Sequence, residues 1–93
     1  MAATAISVRE FCTVHGVTHE YIYELRDFGL IQLQQEEFLQ DSIVPKVEKI
    51  IRLRQDLNIN LEGIEVIFNL LDRVTEMDNE VVRLRNRLKL YED

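Results

Sequence analysis

Residues 16–31 read GVTHEYIYELRDFGLI, and the fold turns on how they are understood. Thr18 suits a helix N-cap, because its hydroxyl accepts from a first-turn amide that has no intrahelical partner. Tyr21, Ile22, Leu25 and Phe28 follow at helical spacing and make one apolar stripe. His19, Glu20, Tyr23, Glu24 and Asp27 point mostly away from it. Gly29 ends the helix, since Gly adopts the left-handed backbone that closes a helix. Just upstream, Ser7-Val8-Arg9-Glu10 forms a capping box: the Ser hydroxyl takes the Glu10 amide and the Glu10 carboxylate reaches back. Val8, Phe11 and Cys12 share a face, and Gly16 closes this first helix. A helix this short needs another to pack on. Two short helices joined by so tight a turn predict a helix-turn-helix. The second has the shape of a recognition helix, yet Glu20, Tyr23, Glu24 and Asp27 stand where a DNA reader wants Arg or Lys.

Downstream, Ile31-Gln32-Leu33-Gln34 alternates as a half-buried strand does, after Leu30. Gln35-Glu36-Glu37 is a polar break, and Phe38-Leu39-Gln40 is a returning strand, so residues 30–40 predict a small β wing. Asp41 is placed to cap a third helix reaching Leu57, with Pro45 in its first turn, where a missing N–H costs little. Val47, Ile50, Ile51 and Leu57 are its inward residues, and Glu48 with Arg52 is an outward i, i+4 pair. Asn58-Ile59-Asn60 is a turn, and Asn60 caps a fourth helix with Leu61, Ile64, Ile67, Phe68 and Leu71 inward.

From Leu70 the pattern changes. Leu70, Val74, Met77, Val81, Leu84, Leu88 and Tyr91 recur at alternating spacings of 4 and 3, an a/d seam with Val74, Val81 and Leu88 at a. Helices four and five run on continuously or bend near Asp72. Arg73, Glu80 and Arg87 at g face Asp78, Arg85 and Glu92 at e with opposite signs in a parallel pair. Exposed pairs contribute little, so this only biases polarity. The expected organisation is a helix-turn-helix domain over residues 1–71 and a C-terminal dimerisation helix over residues 72–93.

The 93 residues are 46% hydrophobic and 30% charged, which supports one small core and argues against disorder. The net charge is −6. Residues 1–40 hold two bases, Arg9 and Arg26, against six acids. Nucleic-acid affinity comes mostly from cations on phosphates, so this half is poorly suited to it and well suited to a basic protein surface. A single Cys12 fits a reducing compartment. With neither a signal-peptide pattern nor an apolar run of membrane length, a cytoplasmic protein is expected, with no membrane partner. Cys12, His15 and His19 lack further ligands at metal spacing, and Cys12-His15 has no orienting third group. No cofactor, metal or catalytic residue is assigned, and an enzyme is not expected.

The order of elements resembles the MerR-like winged helix-turn-helix superfamily, and within it the CbpM-type chaperone modulators. The resemblance rests on ISVREFCTVHGV (residues 6–17), on Glu24, Leu25, Gly29 and Leu30, and on IIRLRQDLNINLEGIEVIFNLLD (residues 50–72). It implies a mainly α fold with a small β wing and a long, coiled-coil-like C-terminal helix. DNA-binding members of the superfamily carry an Arg-Thr-Leu-Arg-Tyr-Tyr-Glu phrase in helix two. The matching positions here run from Glu20 to Arg26, and Glu20 and Tyr23 replace both Arg positions of that phrase. The wing, Gln34-Gln35-Glu36-Glu37, brings no cation either.

The chaperone-modulator resemblance implies a non-enzymatic protein that binds the J-domain of a DnaJ/CbpA-type co-chaperone and restrains its stimulation of Hsp70. J-domains present a basic helix, which an acidic partner can occupy. Glu20, Tyr23, Glu24 and Asp27 are then the expected contacts, with a homodimer formed through the C-terminal helix. Two other readings stay open: a dimeric, DNA-binding transcription regulator, and a dimerisation module for some other partner. A solvated helix face is the plainest account of any one of the four residues.

Overall fold

Local capping rules set most helix ends. In the computed structural model, which describes residues 4–92, the helices are α1 (Val8–His15), α2 (His19–Phe28), α3 (Val44–Leu57) and α4 (Leu61–Lys89). The ends of the two expected domains, residues 1–3 and 93, lie outside the described residues. The Glu10 amide donates to Ser7 Oγ at 3.1 Å and the Tyr21 amide to Thr18 Oγ1 at 3.1 Å, so both predicted N-caps are formed. Each such cap stabilises a helix by about 1 kcal/mol. Gly16 (φ 67°) and Gly29 (φ 90°) close α1 and α2 in the left-handed conformation. Asn58 does the same for α3 at φ 54°, a backbone Asn tolerates better than most residues.

By contacts the chain forms two compact units, one reaching to Leu61 and one from Glu62 onward. The first unit buries Val8, Phe11 and Cys12 of α1, Tyr21, Ile22 and Leu25 of α2, and Val47, Ile50 and Ile51 of α3. Leu30, Ile31 and Leu39 join them from between the helices. Those are the predicted stripes, except that Phe28 is only half-buried. Leu57 departs further: it is 64% exposed, because it is the last residue before the chain turns at Asn58.

The β element is built differently from the predicted wing. Residues 30–33 form no strand, although burial alternates along 31–34 as expected. Phe38–Gln40 is a strand (β2), but it pairs antiparallel with Ala5–Ser7 (β1), with Ile6 opposite Leu39. Only Gln34 bridges to Phe38, across a turn in which Gln35 (φ 51°) and Glu36 (φ 60°) are left-handed. A strand with one apolar face satisfies burial without a ladder, and the N-terminal segment supplies the ladder instead. The Val8 amide also donates to the Glu37 carbonyl at 2.9 Å. Asp41 does not cap α3. It sits in a 3₁₀ turn (Asp41–Ile43), where its carboxylate accepts from the Thr4 hydroxyl and its amide donates to the Thr4 carbonyl at 3.1 Å. Ile43 takes the N-cap position with no side-chain bond, and Pro45 occupies the first turn as predicted.

The second unit carries α4, one continuous helix of 29 residues without a break at Asp72. Ile64 is buried, Ile67 and Phe68 are half-buried, and Leu71 is 41% exposed where an inward position was expected. Every seam residue from Leu70 on is exposed. Tyr91 lies beyond the helix, in a closing turn where its amide donates to the Leu88 carbonyl at 3.0 Å. Glu80 pairs with Arg83 on its own helix.

Candidate partner-binding face

The Thr18 cap and the buried stripe fix which way α2 faces. With Tyr21, Ile22 and Leu25 locked in the core, Glu20, Glu24 and Asp27 are driven to solvent and Tyr23 is half-buried at the edge. The four predicted contacts therefore share one side of α2, but they are not equivalent.

Tyr23 was expected to be exposed and available. Instead its hydroxyl donates to the Glu36 carbonyl at 2.9 Å, tying the wing turn to α2. Arg26 completes the tie. Its guanidinium lies 4.9 Å from the centre of the Tyr23 ring and pairs with the Glu36 carboxylate. Its Nε and Nη2 also donate to Asp27 Oδ1 at 3.0 and 2.8 Å. These carboxylates, Asp27 foremost by hydrogen bonding, push the Arg26 pKa above its already high value. Arg26 is the only Lys or Arg of α2, and it is committed to two acids. Asp27 is correspondingly paired. Glu20 and Glu24 remain, exposed and without a hydrogen bond or ion pair among the described residues. The spacing of Tyr23, Arg26 and Asp27 was visible in the sequence, but Glu36 joins them only through the wing turn.

The histidine and the cysteine that might have implied a metal site have structural partners. The His15 ring stacks on Phe11 with centroids 4.0 Å apart, and its nitrogens face the Phe11 carbonyl at 3.1 Å and the Glu48 carboxylate at 3.0 Å. Glu48 thus reaches from α3 to α1, where a partner in Arg52 was expected. Cys12 is buried, and burial raises its thiol pKa. Among the described residues no group of three or more His, Cys, Asp or Glu side chains is arranged to hold a metal ion.

Leu70, Val74, Met77, Val81, Leu84 and Leu88 line up on α4 and are 46–66% exposed. Leu84, Leu88 and Tyr91 share a shallow depression with Arg87. Among the described residues no helix is long and apolar enough to cross a membrane.

The chaperone modulatory protein CbpM of Escherichia coli O1:K1 / APEC is 27% identical over 89 residues, covering 91% of this chain and 88% of that protein. The same figures hold for CbpM of Escherichia coli strain K12 / DH10B and of Shigella boydii serotype 18. These are names of regulatory proteins, and no enzymatic family is indicated. No solved structure matches the chain. The family model for MerR HTH family regulatory proteins matches residues 6–86. With that match and a helix-turn-helix capped and packed as described, the chain belongs to the MerR helix-turn-helix family of regulatory proteins.

Proposed function

We propose that this chain is a cytoplasmic chaperone modulator that binds the J-domain of a DnaJ/CbpA-type co-chaperone and inhibits its stimulation of Hsp70. The observation that carries the reading is the charge state of α2. Its one cation is spent on Asp27 and Glu36, while Glu20 and Glu24 stand exposed and unpaired. Such a face repels phosphates and attracts a basic helix. The relatives' name, chaperone modulatory protein, supplies the chaperone context. Glu20 and Glu24 are the direct contacts in this reading. Tyr23 and Asp27 contribute partly by holding the wing beside them.

The seam of α4 is proposed as the dimer contact. A two-domain division, with the helix-turn-helix over residues 1–71 and the pairing helix over 72–93, follows from that role. Calorimetry with a purified J-domain tests the binding face. The double variant Glu20→Lys, Glu24→Lys should lose binding at low salt, where exposed charges are least screened. Unchanged affinity sinks the assignment. A transcription-regulator reading draws on the family match. Its test is a gel shift on the gene's own upstream region, and sequence-specific retention there would overturn the charge argument.

A further inference from the structure

A cleft opens beside the helix-turn-helix turn. Gly16, Val17, Thr18, Tyr21, Ile51, Arg54 and Gln55 line this cleft of about 200 Å³ between that turn and α3. Tyr21 is only 5% exposed, and its hydroxyl proton has no acceptor among the described residues. A buried hydroxyl in that state costs free energy that a ligand can recover. The Arg54 guanidinium carbon lies 4.1 Å from the centre of the Tyr21 ring. Arg54 is also near enough to the phenol oxygen to oppose the rise in pKa that burial imposes on it, and the Glu24 carboxylate adds to that rise from the other direction. A guanidinium only donates, so the phenol proton still wants an acceptor.

Both groups therefore ask for the same thing, a small acceptor bearing negative charge. Arg54 is the one charged residue of the lining, and Thr18 brings the positive end of α2 to the same cleft. One guanidinium and one phenol match a monoanion with two acceptor oxygens better than a phosphate. We propose that this cleft binds a carboxylate, held by Arg54 and the Tyr21 hydroxyl. The carboxylate comes either from a small free acid or from an Asp or Glu side chain of a docked protein.

The test is a ¹H–¹⁵N NMR titration of the full chain with sodium succinate and, separately, with the blocked peptide acetyl-Gly-Asp-Gly-amide, sodium chloride holding ionic strength constant. Saturable shifts at the Val17 and Thr18 amides and the Arg54 Nε–H are expected. Arg54→Gln should abolish them. Tyr21→Phe should weaken binding about tenfold, as loss of a bond to a charged group does, without lowering the melting temperature. Tighter binding of the peptide assigns the carboxylate to a protein side chain, and tighter binding of succinate assigns it to a free acid. Shifts no different from those of chloride overturn the proposal, as does equal affinity of Tyr21→Phe. A lower melting temperature in Tyr21→Phe overturns it too, since the hydroxyl would then have a partner within the folded protein.

Discussion

Replacing Leu84 with Asp addresses the proposed dimer directly. Leu84 is 46% exposed on α4. Fully burying a Leu stabilises by about 1.5–3 kcal/mol, so covering the remaining half contributes about 1 kcal/mol on each protomer. Symmetry counts this twice. An Asp in the seam must also lose water without a partner, at about 1 kcal/mol or more per protomer. The total, about 4 kcal/mol per dimer, weakens association nearly a thousandfold. The wild type has little to spare. Six helical seam residues at about 1 kcal/mol each give about 12 kcal/mol gross over both protomers, against an association cost of about 4–15 kcal/mol. At the low end of that cost about 8 kcal/mol remains, so the dimer is expected to be no tighter than about micromolar, and the variant should be a monomer there. Sedimentation velocity reads the difference. Asn79→Asp, which adds the same charge at the exposed f position opposite the seam, should sediment as the wild type. Circular dichroism should show α4 retained in both, because Asp at one helix position costs under about 1 kcal/mol. Identical sedimentation of Leu84→Asp and wild type would refute the seam as the contact.

Three further outcomes are expected. Gly29→Ala meets no atom within 4 Å of the added carbon, so its cost is conformational alone. Chemical denaturation should show a loss of about 1 kcal/mol from forcing Ala to the left-handed backbone. Tyr23→Phe removes the donor that holds the Glu36 carbonyl, and should speed amide exchange in the wing turn at a stability loss of about 1 kcal/mol while leaving α2 intact. The third outcome concerns pH. Burial raises the pKa of both Tyr21 and Cys12, which favours their neutral forms in the folded protein. Their contribution to stability is complete below the unfolded values, about 10 for Tyr21 and about 9 for Cys12, and is lost as pH rises through the higher folded ones. Thermal melts should therefore fall above about pH 9, and less steeply in Tyr21→Phe; a flat profile would contradict the raised values.

Short-range chemistry was legible in the sequence, and long-range pairing was not. Ser7, Gly16, Thr18 and Gly29 act on neighbours a few residues away, and each does what its local pattern implies. The stripe of α2 follows from spacing in the same way, whereas spacing left α4 open between one continuous helix and a bend near Asp72. The pairing of Ile6 with Leu39 joins segments far apart in the chain, and nothing local marks Ala5–Ser7 as a strand. Asp41 illustrates the same limit. As a cap it was a sound local choice, but Thr4 competes for its carboxylate once β1 lies beside β2. The acids of α2 could be counted in the sequence. That Arg26 would be paired by Glu36 depends on the wing turn, which only the fold brings into reach.

That pairing bears on how this helix can be used under the proposed function. A recognition helix offered to a phosphate backbone needs its cations free, since each neutralised phosphate adds to affinity. For Arg26 to serve, it would have to release Asp27 and Glu36, leaving two carboxylates facing a polyanion. Restoring Arg at position 20 alone would not make α2 a DNA reader, because Glu36 and Glu37 of the wing would still oppose the strand beside it. A basic protein helix meets the reverse situation. It gains from Glu20 and Glu24, which give up no existing partner on binding, and the Arg26 clamp keeps the wing acids from drifting away. The same latch that spoils the nucleic-acid surface therefore preorganises the acidic one, and Arg26→Met should weaken J-domain binding even though it makes the face more negative.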